Sequence, residues 1–276
     1  MSQHGTNEAG RSDMKKTILI TGAATGIGRD TAFALAARGH VVVATTYDEA
    51  QAVALRAQCA ARNLAIEVHK LDITQAADRE TLRQRPLDVL INNAAISDSG
   101  SLAEVDIDRI RRTFEVNVFA TLELTQVVLA GMIERGSGTV LFVSSIAGRL
   151  PMPFLMPYGM TKFALSAAGA ALREEMDVLG RNVHVALIEP GAIHTGFNQT
   201  MVAHKYEWME RRSYFSAHLD AIKAKENRMF GFLEAKSTAS IVAQIVKAAE
   251  ARRPKLRYVA PWVQGAFVRM ARIFGV

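Results

Sequence analysis

The chain has little that crosslinks or binds metal. Cys59 is its single cysteine among 276 residues. No internal disulfide can form, which fits a reducing, cytoplasmic setting. Its uninterrupted apolar runs stay short of the ~18 residues that a spanning helix needs. Histidine, cysteine and carboxylate residues do not cluster at metal-ligand spacing, so no catalytic metal is expected. Residues 1–13 lack an apolar stretch and read as a disordered tail, not a signal peptide. Acidic residues are missing after Glu250, where Arg252, Arg253, Lys255, Arg257, Arg269 and Arg272 stand. Setting those six aside leaves 27 Lys+Arg against 27 Asp+Glu, so the net charge of +6 belongs to this segment. No nucleic-acid motif or basic stripe with aromatics accompanies it, which argues against nucleic acid as a partner.

What is present is a large apolar fraction, 49%, enough for a substantial core. Short apolar runs alternate with helical patterns. Strands are expected over 17–20, 40–45, 66–71, 87–91, 139–144, 183–188 and 256–259. Helices are expected over 27–37, 48–62, 75–84, 107–134, 158–179 and 237–250. Such alternation implies right-handed crossovers and a parallel sheet with helices on both faces. Without a repeat or a low-complexity linker, residues 14–276 read as a single α/β domain, a doubly wound parallel sheet of about seven strands.

Two motifs carry the chemistry. Thr21 to Gly28 reads T-G-A-A-T-G-I-G, between an apolar strand and a helix. Backbone N–H groups at a helix start attract phosphate, and glycine lets the backbone approach it. The second motif joins Tyr158 and Lys162 to Ser145 upstream. Residues i and i+4 share a helix face. A nearby ammonium favours a phenolate and is expected to lower the tyrosine pKa. That trio suits proton transfer at a carbonyl oxygen. Asp72, Asn93, Ser145 and Pro190 follow successive strands, where open sheets of this type bind ligands.

Together these residues resemble the short-chain dehydrogenase/reductase family, over about Lys16 to Thr195. Its glycine motif is matched by Thr21, Gly22, Gly26 and Gly28. Its N-N-A-G is matched by Asn92 to Ala95, with Ala95 replacing the last glycine. Its active-site asparagine is matched by Asn117, its P-G by Pro190-Gly191 and its following threonine by Thr195. The resemblance implies a Rossmann fold and hydride transfer between NAD(P)(H) and a carbonyl or secondary alcohol. Asn117, Ser145, Tyr158 and Lys162 would be catalytic, with Asn117 holding a water that relays protons through Lys162. Gly22, Thr25, Gly26, Ile27, Gly28, Thr46, Tyr47, Asp72, Ile73, Asn93, Ala94, Ala95, Tyr158, Lys162, Pro190, Gly191, Ile193 and Thr195 would hold the cofactor. Thr46 and Tyr47 occupy the positions where an acid selects NAD and an arginine NADP. Neither diagnostic residue is there; Thr46 repels no phosphate, so the reading leans to NADP(H).

On the substrate side stand Met152, Phe154, Leu155 and Met156 before Tyr158, and His194, Phe197, Met201 and Trp208 after Thr195. They imply an apolar small-molecule substrate under a lid over about 192–235. The basic, apolar C-terminal segment 251–276 contains a stretch, 262–274, that either packs over the cleft or a partner subunit, or lies at a membrane surface. Family resemblance implies a homodimer or homotetramer. Two other classes stay open: a non-catalytic dinucleotide-binding regulator, and a membrane-surface reductase of lipid-like ketones.

Overall fold

The computed structural model describes residues 15–275, so the expected tail over 1–13 lies outside them. From the N-terminal side come β1 (Thr17–Ile20), α1 (Gly26–Ala37), β2 (Val41–Thr46), α2 (Glu49–Ala61), β3 (Ile66–Lys70), α3 (Ala76–Glu80) and β4 (Val89–Asn92). There follow β5 (Ser99–Gly100), α4 (Ile107–Phe114), a π-helical segment (Glu115–Ala120), α5 (Thr121–Arg135), β6 (Ser137–Val143), β7 (Met156–Pro157) and α6 (Tyr158–Leu179). The remainder holds β8 (Asn182–Pro190), α7 (Phe197–Met209), α8 (Leu219–Leu233), α9 (Ala239–Glu250), β9 (Arg257–Ala260) and α10 (Trp262–Ile273).

Seven of these strands form one parallel sheet in the order β3-β2-β1-β4-β6-β8-β9. Side chains alternate across a strand, so each inner strand feeds two cores. Ile18, Ile20, Val42 and Ile91 join Leu35 of α1, Leu55 of α2 and Ile245 of α9 on one face. Leu19, Leu90, Phe142 and Leu187 join Leu124 and Met132 of α5 and Leu165 of α6 on the other. A sheet covered twice needs apolar residues at both parities, which explains the unbroken runs that mark these strands. The order in which strands are added reverses between β1 and β4, and the crevice at such a switch point is where ligands sit.

Glu189 near the end of β8 is fully buried between two arginines. Arg149, after β6, reaches it at 3.3 Å, and Arg257 of β9 pairs with its other oxygen. Three chain segments are thereby held together by one carboxylate.

Several expected boundaries moved. The helix expected over 75–84 closes after Glu80. The helix expected over 107–134 is interrupted by the π segment. An 18-residue window within Ile107–Arg135 reaches a mean hydropathy of 1.6, enough to cross a bilayer by length and composition. Its residues Leu124, Val128, Leu129 and Met132 instead pack in the core, as in the central helix of a layered sheet. The small antiparallel pair β5–β7 and helices α7 and α8 were not anticipated. Both helices fall within the segment expected to form a lid.

Candidate active site

A cleft of about 1520 Å³ runs along the carboxyl edge of the sheet. Its first wall is the turn between β1 and α1. Gly22 sits at φ +65°, and a Cβ there would stand 2.7 Å from the Ala94 Cα. A Cβ on Gly28 would stand 2.5 Å from the Asn93 side-chain amide. The turn is clamped to the end of β4. Thr21 Oγ1 accepts the N–H groups of Asn93 and Ala94 at 3.1 and 3.0 Å. The Asn93 amide donates to the carbonyls of Thr21 and Gly22 at 2.9 and 3.0 Å. Ala95 keeps a negative φ among the described residues, so alanine fits where the family motif has glycine.

Helix α1 opens beside this turn with no side-chain cap and no acid in its first turn. Its orphan N–H groups and positive dipole end favour an anion. Room for the backbone to approach, together with that uncapped start, fits the pyrophosphate of a dinucleotide. Gly22, Thr25, Gly26, Ile27, Gly28, Tyr47, Asp72, Ile73, Asn93, Ala94, Ala95, Pro190, Gly191, Ile193 and Thr195 all line the cleft. Thr46 does not, contrary to expectation. It is fully buried, and its hydroxyl donates to the Asp48 carbonyl at 3.0 Å. Asp48 is turned to other work as well, accepting the Gln51 N–H at 2.8 Å to cap α2. Arg29 pairs with Asp30 at 2.9 Å and also lies off the cleft.

At the centre stand Ser145, Tyr158 and Lys162, all lining the cleft. Ser145 follows β6, where its Oγ accepts the Ala147 N–H at 3.1 Å and donates weakly to the Pro190 carbonyl at 3.4 Å. Tyr158 and Lys162 occupy the first turns of α6, and the Lys162 ammonium lies 5.5 Å from the Tyr158 ring centroid. Lys162 is 3% exposed and donates to the Val143 carbonyl at 2.8 Å. Burial pushes its pKa down to about 8. Burial pushes the Tyr158 phenol up, with a hydrogen bond from Ser145 acting in the opposite direction. The expectation of a lowered phenol pKa is therefore corrected: loss of hydration outweighs the neighbouring charge.

Asn117 lies in the π segment, fully buried and off the cleft. Its Oδ1 accepts the Ile96 N–H at 2.8 Å, while its Nδ2 donates to the Ile96 carbonyl at 2.9 Å and to Thr161 Oγ1 at 3.2 Å. Thr161 in turn donates to the Tyr158 carbonyl at 2.7 Å. The side-chain amide is spent on these bonds and clamps the β4–β5 connection to α6.

The short-chain dehydrogenase profile matches residues 16–206. The chain belongs to the short-chain dehydrogenase family. Human 17-beta-hydroxysteroid dehydrogenase type 1 is 32% identical over 261 residues, covering 88% of this chain and 77% of that protein. A short-chain dehydrogenase/reductase of Burkholderia phymatum, solved with NAD, superposes with a TM-score of 0.78 over 94% of this chain and 93% of that one, at 21% identity. A gluconate 5-dehydrogenase of Burkholderia cenocepacia, solved with NADP and tartrate, gives 0.62 over 72% and 80%, at 25% identity. Members of the family are oxidoreductases that work with NAD(P) on alcohol and ketone groups.

In this short-chain dehydrogenase the substrate side is made largely by α7. Phe197, Met201, Lys205 and Trp208 fall at i, i+4, i+8 and i+11, one helix face, and all line the cleft. The Phe197 ring lies 5.5 Å from the Tyr158 ring. Met152 and Leu155 also contribute to the wall. Three expected substrate residues, Phe154, Met156 and His194, do not, and Met156 instead pairs with Gly100 in the β5–β7 ladder. Phe154 adopts φ +61° and stacks edge-on against Phe215 at 5.1 Å, within a small cluster with Tyr206, Met209 and Leu219. His194 is 60% exposed and bonds Glu234 at 3.0 Å and Gln199 at 2.8 Å outside the cleft. The sequence reading also missed Lys205, which is 2% exposed and paired with Glu226 of α8. Glu226 accepts the Tyr206 hydroxyl at 2.6 Å as well. Nothing in a single lysine on a mixed helix marks it as buried. Gln264 of α10 was missed too. Its Oε1 accepts the Ala192 N–H at 2.8 Å, and its Nε2 donates to the Leu233 carbonyl at 2.7 Å.

Proposed function

We propose that the protein transfers hydride reversibly between a nicotinamide dinucleotide, NADP(H) before NAD(H), and an apolar ketone or secondary alcohol. The observation that carries this reading is the meeting of Ser145, Tyr158 and Lys162 in the cleft that begins at the uncapped start of α1. The dinucleotide, when bound, supplies or accepts the hydride. Tyr158, protonated at neutral pH, donates its hydroxyl proton to the carbonyl oxygen during reduction. Lys162, cationic below about pH 8, stabilises the phenolate left behind. Ser145 turns its hydroxyl from the long bond to Pro190 toward the substrate oxygen and steadies the charge that develops there. Asn117 keeps α6 in register with the β4–β5 connection. In the oxidising direction Tyr158 must act as base, so rising pH favours oxidation.

The leaning toward NADP(H) is supported by the strand end at β2, where neither Thr46 nor Asp48 presents a carboxylate to the cleft. Met152, Leu155, Phe197 and Met201 support an apolar substrate, as does a relative named for a hydroxysteroid. Absorbance of NADPH followed against ketones and quinones, and NAD(P)+ reduction with secondary alcohols, tests the reading. Tyr158→Phe should retain dinucleotide binding and lose turnover by about 10²–10⁴-fold. Turnover near that of the unaltered enzyme would refute the role of Tyr158.

A further inference from the structure

Helix α10 is built inside out. Its inner face is narrow: Gln264, Val268 and Ala271 are its buried residues, and Val268 and Ala271 pack with Leu150. Its outer face holds the large apolar side chains. Trp262 is 77% exposed, Phe267 65% and Ile273 72%, with Val263, Met270 and Phe274 also open. At about 100° per residue these six fall within one arc of about 140°. A surface helix ordinarily turns such a stripe inward, and scattered single exposures need no explanation, but a continuous patch marks an interaction site. Arg269 and Arg272 stand on one flank of the arc, exposed and without an ion-pair partner among the described residues. Helix α10 has no acidic residue.

We infer that this face docks on an anionic lipid surface. Apolar side chains beside arginines on a helix lacking acids match the interfacial geometry, in which rings enter the headgroup boundary and guanidinium groups meet lipid phosphates. Tryptophan at the helix start suits that boundary. A second copy of this chain is the weaker occupant. Two such faces meeting antiparallel across a two-fold axis would bring their arginine flanks together with no carboxylate on either helix. The rest of the basic segment does not take part. Arg257 is paired with Glu189, and Arg252, Arg253 and Lys255 precede β9, at the end of that strand away from α10.

Docking there bears on the cleft. Gln264 holds Ala192 and Leu233, the two ends of the segment that covers the substrate side. A bilayer under α10 would thus lie next to the cover of the substrate side.

Co-sedimentation of the full chain with phosphatidylglycerol/phosphatidylcholine vesicles tests the inference. The protein should pellet with these vesicles in low salt, less with phosphatidylcholine alone, and less as salt rises. The double variant Trp262→Ser/Phe267→Ser should lower partitioning by about tenfold or more. Arg269→Gln/Arg272→Gln should abolish the preference for the anionic lipid. All four side chains are exposed, so both variants should melt with the parent, and either alone suffices for the test. The inference is overturned if the protein stays in the supernatant with anionic vesicles at low salt, or if either variant, folded, binds like the parent. It is equally overturned if sedimentation velocity shows a dimer that Trp262→Ser/Phe267→Ser dissociates, since the face would then belong to a second copy.

Discussion

Lys162 keeps its charge at neutral pH by a narrow margin. Unfolded, it would hold its proton to about pH 10.5; folded, burial lets it go near pH 8. Between those values the unfolded chain binds more protons, so stability rises with pH. Above pH 10 the phenol of Tyr158 acts oppositely, because the folded state retains a proton that the unfolded state has lost. Urea unfolding at pH 8 and pH 10 should show the parent gaining about 2 kcal/mol relative to Lys162→Met. An equal pH response in the two proteins would contradict the burial of a titrating lysine. Lys205 is a second buried cation, matched by Glu226. Lys205→Met strands that carboxylate and should cost about 3–5 kcal/mol, whereas Lys205→Met with Glu226→Gln should cost less. Tyr158 and Lys162 were readable because helical periodicity fixes which side chains share a face, and Ser145 because it follows a strand at the ligand-binding end of the sheet. His194 and Phe154 were misread for the converse reason: each stands outside the regular elements, where spacing does not fix direction, and Phe154 takes a left-handed backbone besides.

Among the elements, the π segment Glu115–Ala120 does the most for the site. One wider turn re-aims the following residues, and such turns recur at functional places. It was invisible in the sequence because it barely alters the apolar spacing on either side. Asn117→Ala removes three buried hydrogen bonds made by one amide. It should cost about 2–4 kcal/mol by urea unfolding and lower kcat more than the KM for dinucleotide. Helices α7 and α8 escaped prediction since polar and apolar residues nearly balance in each, which leaves little apolar signal to mark a core-facing element. The Gln264 clasp gives the element-scale counterpart. Gln264→Ala frees Ala192 and Leu233, and limited proteolysis should then cut between residues 192 and 235 faster than in the parent, with a raised KM for the ketone.

Across the whole molecule, the parallel sheet and its layering were legible from alternation alone, because a sheet covered on both faces demands apolar runs at every inner strand. Cofactor choice was not, since it turns on a few side chains at one strand end. Binding to the folded state alone stabilises by about 2.7 kcal/mol at a hundredfold excess over Kd. At equal concentrations NADPH should therefore raise the melting temperature more than NADH. The reverse order would overturn the preference for NADP(H).

Glu189 carries a consequence for how such chains diverge. With Arg149 and Arg257 on either side of a fully buried carboxylate, no one of the three can drift alone without leaving a charge uncompensated away from water. These positions are expected to behave as a single heritable unit across homologues, kept together or replaced together by neutral residues. A lineage that lost only one would carry a burden that further substitutions at the other two should relieve.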